Sequence, residues 1–455
     1  MASIEEEEKM GSDVEFVDVE SDEAIADDDD DDEEEVVPFV PGKSNVDEDT
    51  EMVQDDTAYV MYHQAQTGSP CLSFDIIKDQ LGDNRSRFPL TTYIVAGTQA
   101  DRAHLNSVIV MRMSNLKKLK QPGEEEGKDD DDDDDDDSLI DSDEEDEGEL
   151  PELNTAMISH LGGVNRIRGT KLHGKQIAAT WSDTGSVNVW NLESALESVE
   201  SQEAASKFSR DEGRVPPLFS FTGHQTEGFA LDWSPTVPGT LASGDCKKNI
   251  HIWKMEEGGT WRVDQRPYVA HSESIEDIQW SPNEKTVFAS CSVDKSIRVW
   301  DIRAAPSKAC MLTVENTHES DVNVISWNKT EPFIISGGDD GVINVWDLRQ
   351  FQQKSPPIAK FKQHTAPITS VEWHPIDSTV FACSGADDQI TLWDLALERD
   401  PDAEAQDQQV DVPPQLLFIH QGQTDIKECH WHPQIPGVII STALSGFNIF
   451  KTISV

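Results

Sequence analysis

Basic residues are scarce in this sequence of 455 residues. Its 36 lysines and arginines stand against 88 aspartates and glutamates, which gives a formal net charge of -52. Proteins that hold bare nucleic acid use a basic face to neutralise phosphates, and anionic membranes likewise attract basic segments. The composition therefore predicts neither direct nucleic-acid binding nor association with a membrane.

Cysteines and long apolar runs are also few. The six cysteines show no CxxC spacing, so the pattern indicates neither a zinc site nor a disulfide framework. No stretch approaches about 18 consecutive apolar residues, and the acidic N-terminus lacks the apolar core of a signal peptide. We expect a soluble intracellular protein with reduced thiols, no metal and no cofactor.

Acidic residues are concentrated in two tracts. Glu5–Glu35 contains 19 of them, and Glu124–Glu149 contains another 19, including the unbroken run Asp129–Asp137. Such segments bury too little apolar surface to offset the entropy of ordering, so residues 1–35 are predicted to be a disordered tail. Calcium binding is disfavoured, because the runs lack the glycine-broken spacing of an EF-hand loop.

Two serines in the second tract fit the pattern of an acidophilic kinase. Ser138 and Ser142 each have an acidic residue three positions later. Phosphorylation would add further negative charge to the tract. We therefore interpret both serines as candidate phosphorylation sites.

A repeated pattern occupies the rest of the chain. It combines a histidine, a strand ending in tryptophan, a strand of small residues and an apolar strand that closes on Trp-Asp. The clearest closing residues, Trp300, Trp346 and Trp393, are 46 and 47 residues apart. This period is typical of WD repeats, each of which forms one four-stranded blade of a β-propeller.

Seven strand groups predict an all-β, seven-bladed WD-repeat propeller over residues 71–455. The first group comprises Cys71–Ile77, Thr91–Gln99 and Asn106–Met113, with an outer strand near Leu153–His160. The last group ends with Phe450 in the tryptophan position. The spacing places loop insertions at residues 124–149, 194–214 and 398–414.

Residues 36–70 are predicted to close the ring. The last blade has only three evident strands, and a propeller removes its open edge by closing on itself. Val36–Val40 is a candidate for the missing strand. Asp55–His63 is interpreted as a short N-terminal helix, with acidic residues in its first turn and an apolar face.

The repeat histidines, with the serines and aspartates that follow them, resemble a Ser-His-Asp triad in composition. The combination recurs from blade to blade, which favours a buried hydrogen-bond network over an active site. We therefore predict a protein that is not an enzyme. The network residues are His271, Ser290, Asp294 and Trp300; His318, Ser336, Asp340 and Trp346; and His364, Asp387 and Trp393. Cys383 takes the serine place in one blade and Lys247 the aspartate place in another.

Two repeats, Val287–Arg303 and Phe333–Arg349, end in W-D-x-R. This ending resembles the box by which some propellers dock on adaptors of cullin-based ubiquitin ligases. One alternative function is therefore that of a substrate receptor for such a ligase.

Thr57–Ala100 resembles the glutamate-rich WD-repeat proteins, as do the acidic start and the acidic insertion in the first blade. Members of that family are nucleolar chaperones dedicated to the third protein of the large ribosomal subunit. The resemblance implies a non-enzymatic chaperone for a basic ribosomal protein. It also implies localisation in the nucleus and nucleolus, with some protein in the cytoplasm.

Asp411–Pro433 is similar to the histone-binding WD-repeat chaperones, so a histone chaperone of chromatin is a second alternative. In that family an N-terminal helix and an acidic loop form a rim groove that grips a histone helix. The resemblance implies a groove for a basic amphipathic helix here, between Asp55–His63 and Asp400–Pro414. The implied groove residues are Asp55, Asp56, Tyr59, Met61, Tyr62, Asp400, Asp402, Glu404, Asp407 and Asp411.

Overall fold

Seven antiparallel sheets surround a central channel. The computed structural model describes residues 55–119, 150–211, 213–398 and 412–455 in full, and the backbone of residues 16–17. Six sheets have four strands and one has five. The innermost strands of successive sheets contact one another in an unbroken cycle, so the ring is closed. The predicted seven-bladed β-propeller is confirmed.

Blades 1 to 4 follow the chain in order, each from its innermost to its outermost strand. Their strands are β3 Cys71–Ile76, β4 Leu90–Thr98, β5 Ser107–Leu116 and β6 Glu152–Ser159; β7 Val164–Leu172, β8 Lys175–Ser182, β9 Val187–Asn191 and β10 Phe219–Phe221; β11 Leu231–Trp233, β12 Leu241–Gly244, β13 Ile250–Met255 and β14 Trp261–Val263; β15 Ile275–Trp280, β16 Val287–Ser292, β17 Ile297–Asp301 and β18 Cys310–Val314.

Blades 5 to 7 complete the ring, and the outermost strand of blade 7 comes from the N-terminal side of the chain. The strands are β19 Val322–Trp327, β20 Phe333–Gly338, β21 Ile343–Asp347 and β22 Ala359–Phe361; β23 Ile368–Trp373, β24 Val380–Gly385, β25 Gln389–Asp394 and β26 Leu416–His420; β27 Glu428–Trp431, β28 Val438–Ala443, β29 Gly446–Thr452 and the closing β2 Tyr59–Ala65. The short β1 Phe16–Val17 pairs with the free edge of β2.

The closing strand corrects two expectations about the N-terminal segment. Asp55–His63 is not a helix: a single 3-10 turn covers Asp56–Ala58, and the following residues pair with β29. Without this partner, the outer backbone groups of β29 would be left unpaired at an open edge. Val36–Val40, predicted to supply this strand, lies outside the described residues.

The insertion predicted as a loop at residues 194–214 is largely helical. Helix α1 spans Glu193–Glu200 and helix α2 spans Gln202–Arg210. Ala195 and Val199 of α1 are buried against the core between blades 1 and 2, while the side chain of Ser201 caps α2. The other three single 3-10 turns lie at Ala103–Leu105, Pro306–Lys308 and Leu348–Gln350.

Hydrogen bonds between innermost strands lock successive blades together. In several interfaces a side chain of one blade accepts a backbone N–H of the next, as Asp232 does from Trp280 at 2.7 Å and Glu372 does from Trp431 at 3.1 Å. Glu428 joins the last blade to the first by accepting the N–H of Phe74 at 2.9 Å. Buried backbone donors are therefore satisfied around the channel, which also fixes the register of neighbouring blades.

The two faces of the ring differ in what leaves them. We call the face where the innermost strands begin the front face, and the face where they end the back face. In a four-stranded meander the link between third and fourth strands lies on the back face. The insertions in blades 1, 2 and 6 are all links of this kind, and the closing strand β2 also starts there.

Candidate functional site

A buried polar network recurs in blades 3 to 6. In blade 4, His271 Nδ1 lies 2.9 Å from Asp294 and its Nε2 lies 2.8 Å from the hydroxyl of Ser290. The same hydroxyl accepts the indole N–H of Trp300 at 2.8 Å. The equivalent groups are His224, Asp245, Ser243 and Trp253 in blade 3, and His318, Asp340, Ser336 and Trp346 in blade 5.

Two blades complete this network with residues that the spacing did not indicate. In blade 6, where Cys383 replaces serine, the hydroxyl of Thr391 lies 2.9 Å from His364 Nε2 and accepts Trp393 Nε1 at 2.8 Å. Asp387 binds the other nitrogen of His364 at 2.8 Å. In blade 3, where Lys247 occupies the expected aspartate position, Asp245 binds His224 from two residues earlier.

The geometry of these sets does not present a nucleophile. The side chains of Ser290 and Ser336 are fully buried, and each hydroxyl is held between a histidine and a tryptophan. Burial alone would raise the pKa of Asp340, but hydrogen bonds from His318 and backbone N–H groups outweigh it and lower the pKa to about 2. The sets hold strand connections in place, with no room for a substrate at the hydroxyl.

We expect Thr391→Val to lower the free energy of unfolding by about 1–3 kcal/mol, because His364 and Trp393 would each lose a buried partner. Thr391→Ser is the matched control, since it keeps the hydroxyl, and should stay close to the parent chain. Urea unfolding followed by tryptophan fluorescence measures both variants. Equal midpoints for the valine and serine variants would show that Thr391 does not complete the network.

A second charged network lines the channel and was missed by the sequence analysis. The carboxylate of Glu428, 1% exposed, accepts Arg166 at 2.8 Å and Arg168 at 2.7 Å. His430 lies 3.5 Å from the same carboxylate and 2.9 Å from Glu372. A signal for it was present, because Arg166 and Arg168 alternate with Ile167 and so share one face of a strand.

The pKa values of this network favour charged forms at neutral pH. Burial would raise the pKa of Glu428, yet the attraction of Arg168 and His430 outweighs it and holds the pKa well below its usual range. Burial would lower the pKa of His430, but Glu428 and Glu372 raise it to about 10. The channel wall is therefore an ion network that spans blades 2, 6 and 7.

The roots of three acidic segments meet at one hydrophobic cluster on the back face. Ala58, where the N-terminal segment joins the ring, packs there with Leu119, Leu417 and Phe418. The N–H of Leu119, at the start of the blade 1 insertion, donates to the carbonyl of Val60 at 3.0 Å. Leu417 and Phe418 follow the blade 6 insertion. The structure thus brings these roots together although the sequence places them far apart.

The predicted rim groove is altered by this packing. Tyr59, Met61 and Tyr62 are buried in the core of blade 7, with Met61 fully covered, so the expectation that they line an open groove is wrong. Tyr59 packs edge-on against Phe418 at 5.4 Å and its hydroxyl binds His420 at 2.8 Å. Asp55 and Asp56 remain exposed at the back face.

The other predicted residues of this groove, and both candidate phosphorylation sites, lie outside the described residues. They are Asp400, Asp402, Glu404, Asp407, Asp411, Ser138 and Ser142.

The two W-D-x-R endings form the same local structure. Arg303 and Arg349 each pair with the aspartate two residues earlier, Asp301 and Asp347, while most of each arginine side chain stays in solvent. Because the last turn after the third strand lies on the back face, both pairs point to that side of neighbouring blades.

Within the four fully described ranges, no group of three or more potential metal ligands occurs. No helix in the same part of the chain is long and apolar enough to cross a membrane.

Comparisons with known proteins match both the repeats and the N-terminal segment. Residues 263–301, 309–347 and 355–394 match the WD domain, G-beta repeat. Residues 49–117 match the family of the histone-binding protein RBBP4 and the corresponding component of the CAF1 complex. This second match covers the closing strand and most of blade 1.

Three relatives align with nearly the whole chain. Protein HEAT STRESS TOLERANT DWD 1 of Arabidopsis thaliana is 43% identical over 443 residues, which cover 90% of each chain. Ribosome assembly protein rrb1 of Schizosaccharomyces pombe is 40% identical over 430 residues, covering 92% of this chain and 85% of that protein. Glutamate-rich WD repeat-containing protein 1 of Dictyostelium discoideum is 46% identical over 416 residues, covering 90% and 84%.

Identities of 40–46% over about nine-tenths of this chain extend far beyond the WD repeats that many propellers share, and they include the closing strand and the first blade. The chain therefore belongs to the glutamate-rich WD-repeat protein family.

Proposed function

We propose that this protein is a non-enzymatic ribosome assembly factor that acts as a dedicated chaperone for a basic protein of the large ribosomal subunit, the third one. The observation that carries the proposal is the convergence of the three acidic segments. Their roots, at Ala58, Leu119 and Leu417–Phe418, pack on one cluster of the back face. Two relatives over nearly the whole chain, named for ribosome assembly and as a glutamate-rich WD-repeat protein, support it.

Converging polyanionic segments suit a strongly basic cargo. A concentrated negative field raises the rate of encounter with a cationic protein and shields it from RNA, in a salt-dependent manner. The propeller holds the segments at fixed points. Delivery to assembling ribosomes places the protein in the nucleus and nucleolus, with a cytoplasmic fraction that meets newly made cargo.

Contacts to the cargo remain part of this proposal. The carboxylates of the blade 6 insertion, Asp400, Asp402, Glu404, Asp407 and Asp411, would face the basic side of the cargo, together with Asp55 and Asp56. Charges at the rim of an interface mainly set orientation and association rate.

Two other functions have a specific observation in their favour. The match of residues 49–117 to a histone-binding family favours histones as cargo, and the paired arginines of the W-D-x-R endings favour a ubiquitin ligase adaptor. Affinity purification with nuclease present, followed by mass spectrometry, separates all three. A stoichiometric large-subunit ribosomal protein supports the proposal, whereas histones alone or a cullin adaptor alone would replace it.

Deleting Glu124–Glu149 is expected to slow association with the purified basic cargo by tenfold or more at low salt, because steering by charge changes on-rates by about 10–10³. The dependence of the association rate on salt should flatten as well. Stopped-flow mixing across a salt series measures both effects. A control chain in which a Gly-Ser linker of equal length replaces the tract separates charge from loop length.

The propeller should keep its melting temperature in both chains, since the insertion links two outer strands. Association that is equally fast with and without the tract at low salt would remove the tract from cargo capture.

A further inference from the structure

The channel opens on the back face into a cavity with a basic rim. The cavity has a volume of about 450 Å³. Lys78, Lys171 and Lys329 line it, from blades 1, 2 and 5, and each of these lysines is exposed. Basic residues are scarce in this chain, so three of them at one opening form a distinctive surface.

The positive charge of this rim is not cancelled by the carboxylates beneath it. Among the described residues, none of the three ammonium groups has an ion-pair partner within 4 Å. The deeper carboxylates are already engaged: Asp75 accepts the N–H of Gly169 at 2.7 Å, and Glu372 pairs with His430. Charge complementarity therefore favours an anionic occupant at the rim.

Deeper in the same cavity, one further carboxyl adds little negative charge. Burial raises the pKa of Asp232 to about 8, so at neutral pH this group is largely protonated. Arg168 and His430 offset the charges of Glu428 and Glu372. The net charge at the mouth of the cavity is accordingly set by the three lysines.

An anionic segment of this chain starts close to this rim. The insertion of blade 1 leaves the sheet after Leu119 and returns at Leu150, between the third and fourth strands. Lys78 follows the first strand of the same blade, at the same edge. Three strand spacings, about 15 Å, separate an outer strand from the innermost one.

The length of the insertion is ample for this distance. Residues 120–149 number 30, so the middle of the insertion can extend up to about 50 Å from its roots at ~3.3–3.6 Å per residue. The unbroken run Asp129–Asp137 lies close to that middle. The run can therefore reach all three lysines while both ends stay anchored.

We propose that the back-face mouth of the channel, rimmed by Lys78, Lys171 and Lys329, is a docking site for the acidic insertion of the same chain. The insertion occupies this site in the free protein, and a basic partner draws it off by competition. Docking itself needs no ribosomal cargo, so this proposal stands or fails independently of the proposed function. A weakly basic protein cannot displace the insertion, and selectivity for strongly basic partners follows.

The test uses the full chain, a chain in which a Gly-Ser linker replaces Glu124–Glu149, and a fluorescent peptide of that sequence. We expect the peptide to bind the linker chain and to bind the full chain at least fivefold more weakly, because the tethered insertion competes. The substitutions Lys78→Gln, Lys171→Gln and Lys329→Gln together in the linker chain should weaken peptide binding at least tenfold. Fluorescence anisotropy at low and physiological salt measures each affinity.

The matched control changes Lys308, Lys360 and Lys362, exposed lysines of blades 4 and 5, to glutamine, so the net charge alters equally. Equal weakening by both triple variants would overturn the proposal, since it would mean attraction to overall charge. Equal peptide affinity for the full and linker chains would also overturn it, and would assign the mouth to an acidic partner in trans. Retained melting temperatures exclude misfolding as the cause.

Discussion

Replacing Glu428 by glutamine is expected to lower the free energy of unfolding by about 3–5 kcal/mol, because removing one partner of a buried ion network leaves the others uncompensated. Glu428 accepts Arg166 and Arg168 at 2.7–2.8 Å in a position that is 1% exposed. The same carboxylate holds the backbone of Phe74 across the junction between the last blade and the first. Chemical denaturation at neutral pH measures the loss.

The control is Asp425→Asn, which removes an ion pair of the same length, 2.7 Å, whose side chains are 33% and 44% exposed. Such a surface pair contributes about 0–1 kcal/mol. A loss for the Glu428 variant no larger than for the Asp425 variant would show that the channel network does not stabilise the ring.

The pH dependence of this difference follows from the direction of each pKa shift. The pKa of Glu428 is lowered in the folded protein, so its contribution is complete above the ordinary glutamate pKa and is lost as the pH falls. The pKa of His430 is raised from 6.5 to about 10, so its contribution is complete below pH 6.5 and is lost between 6.5 and about 10. The two variants and the parent should therefore differ most in mildly acidic solution.

Removing the closing strand is expected to abolish cooperative folding. A chain that begins at residue 66 lacks Tyr59–Ala65, which pairs along β29 and buries Tyr59, Met61 and Tyr62. Burying one large apolar side chain contributes about 1.5–3 kcal/mol. Three such losses and an opened sheet edge are comparable with the whole stability of a typical domain, about 5–15 kcal/mol.

A chain that begins at residue 55 is the matched control, since it loses the N-terminal acidic tract but keeps the closing strand. It should melt within a few degrees of the parent, whereas the shorter chain should aggregate or melt without a sharp transition. Circular dichroism and gel filtration distinguish these outcomes. A sharp, parent-like transition for the chain starting at residue 66 would show that Tyr59–Ala65 does not close the ring.

The blades could be predicted from the sequence because each is built from residues that are close in the chain. Strands β15 to β18, for example, lie within Ile275–Val314, so their order, pairing and closing tryptophan form a local pattern of 46–47 residues. The strand groups of blade 1 were found in the same way, although it lacks the closing Trp-Asp. The acidic insertions stood out by composition alone.

The network residues were predictable only where the local spacing is regular. His271, Ser290 and Asp294 stand at the expected positions, but Thr391 and Asp245 supply their groups from other positions. What the network requires is a hydroxyl or carboxylate at a point in space. More than one position along the strands can reach that point, so spacing alone does not identify the residue.

The sequence by itself determined the repeated blades, the excess of negative charge and the places where acidic segments interrupt the propeller. Only the tertiary structure decided that Tyr59–Ala65 is a strand, that its aromatic residues are buried, and that Arg166, Arg168, Glu428 and His430 meet in the channel. The physical reason is distance along the chain. The unpaired edge of β29 and the charges of blade 7 meet their partners only when the ring closes, and no local pattern near Tyr59 or Arg166 records that event.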